Sequence, residues 1–126
     1  MRYKKLFISI GLLLLIGSTS AMANEISKDD WINGMSTALP AYLCKAEQYF
    51  RQCFNVTQTE CEETTLSTTR ICLAKNKEKI PNRLRQPEEG THWGNIIGTC
   101  AGSAYAIALQ NKRINNSKCN NPNNWK

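Results

Sequence analysis

Six cysteines, Cys44, Cys53, Cys61, Cys72, Cys100 and Cys119, constrain this chain more than any other feature. An even number in a short exported chain reads as a disulfide framework. The competing reading, a metal cluster, needs closely spaced thiols or histidines. Neither is present, because no two cysteines stand in C-x-x-C spacing and His92 is the sole histidine. The thiols are therefore expected to be committed to bridges, with no cofactor implied.

Export is signalled by residues 1–23. Arg2, Lys4 and Lys5 precede an apolar run from Leu6 to Gly17, and Ala21-Met22-Ala23 forms a small-residue cleavage site. That arrangement predicts a secretory signal peptide cut after Ala23. The apolar run is short for a bilayer span, and no cysteine follows the cut to carry a lipid. Cleavage leaves residues 24–126, read as one domain over 24–114 followed by an Asn-rich tail over 115–126. Losing Arg2, Lys4 and Lys5 from 16 basic residues leaves 13 against 10 acidic ones, a net of +3. So small an excess gives no argument for nucleic acid.

Start signals and periodicity predict an all-α chain. Ser27 with Asp30 makes an N-terminal cap, and Ile26 can staple onto Trp31. Ile32, Met35, Leu39, Tyr42, Ala46, Tyr49 and Cys53 then recur by threes and fours as one buried face. Pro40 should divide this helix into segments near Lys28 to Ala38 and Ala41 to Gln52. Thr57 and Glu60 repeat the cap signal, with Val56 as staple, for a helix from about Gln58 to Lys79. Its weak point is the β-branched run "TTLSTT", for which a strand over Thr64 to Leu73 is the alternative. "PNRLRQPEEGT", from Pro81 to Thr91, reads as an irregular surface loop. Thr91 is then expected to cap a last helix, about His92 to Lys112. Gly94, Gly98 and Gly102 lie on one stripe of that helix and suggest close approach of another backbone. Its polar residues argue for a core helix rather than a membrane span.

A short link between two helices makes them antiparallel neighbours. Cys53 and Cys61 are centred on residue 57, and Cys44 and Cys72 on residue 58. The expected pairing is therefore nested, Cys53–Cys61 at the turn and Cys44–Cys72 below it, with Cys100–Cys119 holding the tail. This layout resembles the twin-cysteine helical hairpins of the coiled-coil-helix type. The gaps here are eight and ten residues, and the resemblance implies hairpin geometry without a function. The fold expected is a small disulfide-stapled bundle of three to four helices.

For catalysis, His92 would need a nucleophile and an orienting carboxylate. A hydrolase would combine it with an acid such as Glu47 or Glu88. No nucleophile motif surrounds any serine, and the paired acids Asp29/Asp30, Glu62/Glu63 and Glu88/Glu89 suit helix starts. The sharper feature is "KNKEKIPNRLR", where Lys75, Lys77, Lys79, Arg83 and Arg85 face only Glu78. These cations, with Trp93, predict a partner-binding surface for a protein or an anionic envelope polymer. The sequence reading is thus an exported, non-enzymatic binding protein, periplasmic or secreted, of which an immunity-type inhibitor is one form. A small secreted hydrolase and a secreted accessory factor are the alternatives.

Overall fold

Ser27 starts the first helix as its spacing predicts: its hydroxyl accepts from the Asp30 N–H at 3.2 Å. In the computed structural model, residues 24–126 are described; the expected signal peptide, 1–23, lies outside the described residues. Strand β1 (Glu25–Ser27) leads into α1 (Lys28–Leu43), followed by the single turn α2 (Tyr49–Gln52) and the long α3 (Gln58–Asn76). Strand β2 (Arg83–Arg85) and α4 (Glu88–Ala108) complete the order. Turns of 3₁₀ helix follow at Gln110–Lys112 and Pro122–Trp125. The all-α bundle is confirmed.

Helices α1, α3 and α4 run up, down and up. Thr57 caps α3 by accepting the Glu60 N–H at 3.1 Å. The reciprocal half of the capping box is missing, because the Glu60 carboxylate reaches instead to Lys112, just past the end of α4. The threonine run is helical, with Thr65, Thr68 and Thr69 buried on the inner face of α3. Thr68 returns its hydroxyl to the Thr65 carbonyl at 3.1 Å, which satisfies it without leaving the helix.

The core is in two parts. At the end carrying the strands, Trp31, Leu73, Ile80, Leu84, Ile97 and Ala101 pack around Cys72, with Ile26 at the edge as the staple required. At the opposite end, Phe50, Phe54, Tyr105 and Leu109 pack around Cys44, Cys53, Cys61 and Cys119. Phe50 stacks on Tyr105 with ring centroids 4.0 Å apart, and Phe54 meets Tyr105 edge-on at 5.1 Å.

Several expectations are corrected. Pro40 does not divide α1, because it lies one turn before the end and its missing N–H removes a single bond. The helix continues to Leu43, where the Cys44 N–H bonds the Pro40 carbonyl at 3.1 Å. The break falls after Leu43 instead, and the expected second segment shrinks to Tyr49–Gln52. Tyr42, still within α1, and Ala46, beyond its end, are exposed rather than on the expected buried face. The Pro81 to Thr91 segment is not wholly irregular, since Arg83–Arg85 pairs antiparallel with Glu25–Ser27, Leu84 opposite Ile26. Helix α4 starts at Glu88 rather than after Thr91, with Pro87 preceding it. Of the glycine stripe, only Gly102 meets a neighbour, the Phe50 ring; Gly94 and Gly98 face open space.

The disulfides are the largest correction. The bridges are Cys44–Cys61, Cys53–Cys119 and Cys72–Cys100, with Cα separations of 5.8, 5.5 and 5.9 Å. Neither the nested pairs Cys53–Cys61 and Cys44–Cys72 nor the tail bridge Cys100–Cys119 forms. Because α1 stops at Leu43, Cys44 rather than Cys53 sits opposite the first turn of α3. Cys72, three turns further along the same face, then meets α4 at Cys100. Cys53, displaced past α2, is left for Cys119, so the tail is tied to the hairpin and not to the last helix. Backbone bonds reinforce that tie, from Ile114 N–H to the Cys53 carbonyl and from Asn55 N–H to the Lys112 carbonyl.

Candidate functional site

The two ends of the bundle carry different chemistry. At the strand end, Lys75, Lys77 and Lys79 leave the last turn of α3 and the link beyond it, all exposed. The Lys28 ammonium joins them by donating to the Lys77 carbonyl at 2.8 Å. The negative end of the helix dipole favours this gathering of cations. Arg83 and Arg85 also lie at this end, on the outer face of β2, but each has an acid. Arg83 bonds Glu25 at 3.0 Å, and Arg85 bonds Glu89 at 2.8 Å. The Arg85 guanidinium and its backbone N–H hold Glu89 below the usual carboxylate range, and Glu89 raises Arg85 in return. The local excess of +4 in the sequence is thus partly offset by acids from β1 and α4. Trp93 is half-buried against the core at this end and meets His92 edge-on at 5.3 Å, so it is part of the packing more than of the cationic surface.

Of the two acids considered beside His92, Glu88 is close to it and Glu47 is not. His92 and Glu88 share one exposed face of α4 as an i,i+4 pair. Glu47 lies near Phe50, which stacks on Tyr105 at the far end of α4. Thirteen residues of helix separate His92 from Tyr105, or about 20 Å. Glu47 cannot act on the same bond as His92. Among the described residues, no group of three His, Cys, Asp or Glu is placed to hold a metal ion. No described helix is long and apolar enough to cross a membrane.

At the far end a cleft opens between the α1–α2 turn and the C-terminal residues. Its volume is about 370 Å³, and Tyr42, Glu47, Gln48, Tyr49, Asn124 and Trp125 are among its lining residues. Tyr49 is set from behind by Phe54, edge-on at 5.6 Å, and faces Trp125 at 5.4 Å with 64° between the planes. Trp125 is fixed by its indole N–H on the Lys118 carbonyl at 3.1 Å, and the Lys118 ammonium lies 5.2 Å from its ring. The bridge Cys53–Cys119 makes this possible by returning the tail to α2. Sequence reasoning missed this cleft because Tyr42 and Tyr49 fit the periodicity of a buried face. A tryptophan in an otherwise polar tail was the available signal.

Below Tyr49, the Tyr105 hydroxyl donates to the Phe50 carbonyl at 3.0 Å. Burial, with the nearby Glu60 carboxylate adding to it, pushes the Tyr105 phenol up to about 12. It is a structural donor there and not an acid or base for chemistry near neutral pH. A third surface, a groove between α3 and α4, exposes Ile71 and Ile107, the latter 70% accessible.

No curated protein and no solved structure matches the chain. A family model described as "T2SS substrate NttA" matches residues 25–113, which span β1 to the turn after α4. The match covers most of the chain and both halves of its core, so this protein belongs to the NttA family of type II secretion system substrates and is exported across the envelope.

Proposed function

We propose that this secreted protein is a non-enzymatic binding protein that docks an acidic partner with the cations at the end of α3. The observation that carries the reading is that Lys75, Lys77 and Lys79 are exposed and make no ion pair among the described residues. Unpaired ammonium groups at a helix C-terminus raise the local potential and steer an acidic surface into contact. The partner class is an acidic protein surface or an anionic polymer. Membership of a secreted family favours a partner met beyond the producing cell over a toxin intercepted in its own periplasm, so the immunity form of the reading is the weaker one.

The test uses the mature protein with Lys75→Gln, Lys77→Gln and Lys79→Gln together, which keeps helix propensity and removes charge. Arg83 and Arg85 are left intact because their side chains also bond Glu25 on β1 and Glu89 on α4. Partners are captured from cell-surface and envelope fractions at low and at physiological salt. The native protein should retain a partner that salt releases, and the triple variant should lose it with its melting temperature nearly unchanged. Capture that ignores both salt and the three substitutions would remove the proposal.

A further inference from the structure

The cleft at the far end has a composition that a packing role does not explain. Tyr42 is 55% exposed although it is a large aromatic side chain. Tyr49 and Trp125 are half-buried, with their rings inclined to one another rather than closed face to face. The tail carrying Trp125 is polar and is fixed by a bridge, an indole hydrogen bond and an ammonium over the ring. Such fixation pre-organises an aromatic wall, which lowers the ordering cost of binding.

The polar groups in the cleft are as distinctive as the rings. The side chains of Glu47 and Gln48 have no hydrogen-bond partner among the described residues, and Asn124 uses only its amide nitrogen, on the Lys118 carbonyl. Each therefore presents a planar acceptor, or a donor and acceptor side by side, next to an aromatic face. Lys126 also lines the cleft. A pyranose presents the complementary pair of surfaces, an apolar C–H face and an edge of adjacent hydroxyls. The C–H face lies on an aromatic ring, and the adjacent hydroxyls take the two arms of a carboxylate or amide. The cavity falls within the range of small-ligand pockets.

A cationic ligand of quaternary-ammonium type would also seek several aromatic rings. Here one face of the Tyr42 ring already carries the Lys45 ammonium at 5.3 Å and one face of Trp125 the Lys118 ammonium at 5.2 Å, so a pyranose would stack on the opposite faces. A further cation would meet these two ammoniums against the single carboxylate side chain of the lining, Glu47. A purely apolar ligand would leave Glu47 and Gln48 desolvated without partners, which is costly.

We propose that this cleft is a carbohydrate subsite taking a neutral pyranose unit of a glycan, with Tyr42, Tyr49 and Trp125 as stacking faces and Glu47, Gln48 and Asn124 as hydroxyl partners. It is independent of the lysines at the other end of the bundle and stands if that reading fails.

Saturation-transfer NMR on the full mature protein tests it with methyl glycosides of glucose, galactose, mannose and N-acetylglucosamine as probes. At least one should receive saturation and shift the Trp125 indole N–H, with affinity in the millimolar range. Trp125→Ala should weaken that binding about tenfold or more. Tyr42→Ala, at an exposed position that folding does not need, should weaken it as well, whereas Lys75→Gln should not. Absence of transfer to all four probes would overturn the proposal. So would equal binding by the Tyr42→Ala protein, or choline chloride binding in preference to every glycoside.

Discussion

Replacing Cys53 and Cys119 together by alanine is the most direct test of the connectivity. The two residues are 66 apart in the chain, and both are buried. In the chain-entropy account, a bridge stabilises by shortening the loops open to the unfolded chain. The other two bridges already shorten this loop. From Cys53 the chain runs to Cys72, crosses to Cys100 and continues to Cys119. The effective loop is about 40 residues, for which the loss is about 4 kcal/mol at 25 °C. Removing two buried sulfurs adds a small void on top of this. For a domain of this size the loss corresponds to a fall in melting temperature of roughly 20 °C. Urea unfolding of the native and double-alanine proteins measures it. The slope of the transition should also rise, because the unfolded chain exposes more surface once released. A loss below about 2 kcal/mol, with unchanged slope, would show that this bridge does not constrain the unfolded chain as the loop argument requires. Peptide mapping without reduction supplies the companion result: fragments joined as Cys44–Cys61, Cys53–Cys119 and Cys72–Cys100, with any Cys100–Cys119 fragment counting against the structure.

Thr57→Ala removes the side-chain acceptor of the Glu60 N–H and should cost about 1 kcal/mol in urea unfolding, with Thr57→Ser close to native. Tyr105→Phe removes the hydrogen bond to the Phe50 carbonyl inside the far core, at a cost of about 1–2 kcal/mol near neutral pH. Because burial raises the Tyr105 phenol from 10.0 to about 12, its contribution is full below pH 10 and is lost as pH rises through 12. The stability difference between native and Tyr105→Phe proteins, followed by denaturant titration across that window, should shrink; a constant difference would contradict the assignment.

What the sequence disclosed and what it hid separate along physical lines. Caps depend on side chains two or three residues from the backbone they satisfy, so Ser27 and Thr57 could be read directly. The helical class and the bridging of all six cysteines followed from composition and periodicity. Connectivity was hidden because it turned on where one helix stops. Pro40 drew the break toward itself, whereas the chain tolerates it near the helix end and turns after Leu43. That shift moves Cys44 into the place expected for Cys53, and every pairing changes with it. The strands were hidden for a different reason. Three residues such as "RLR" carry too little alternation to read as a strand, and their partner precedes them by more than fifty residues. Of the candidate residues, the lysines could be recognised from charge alone. The acids that answer Arg83 and Arg85 come from β1 and α4 and only the fold brings them near.

The inner face of α3 ties these points together. A helix whose buried positions include Thr65, Thr68 and Thr69 cannot bury apolar surface along its whole length. The core is accordingly split into a part beside the strands, aliphatic apart from Trp31 and the edge Trp93, and a part beside the tail built on Phe50, Phe54 and Tyr105. A small domain with a divided core gains more from covalent links than a larger one would. The bridges meet that need at both ends, Cys72–Cys100 in the first part and Cys44–Cys61 with Cys53–Cys119 in the second. They also fix the surfaces above each part. Lys75, Lys77 and Lys79 ride on the end that Cys72 holds, and Trp125 rides on the tail that Cys119 holds. Lacking shared side chains, the two surfaces should respond to substitution separately. Loss of the Cys53–Cys119 bridge should therefore release Trp125 and abolish pyranose binding while leaving the lysine surface able to hold an acidic partner.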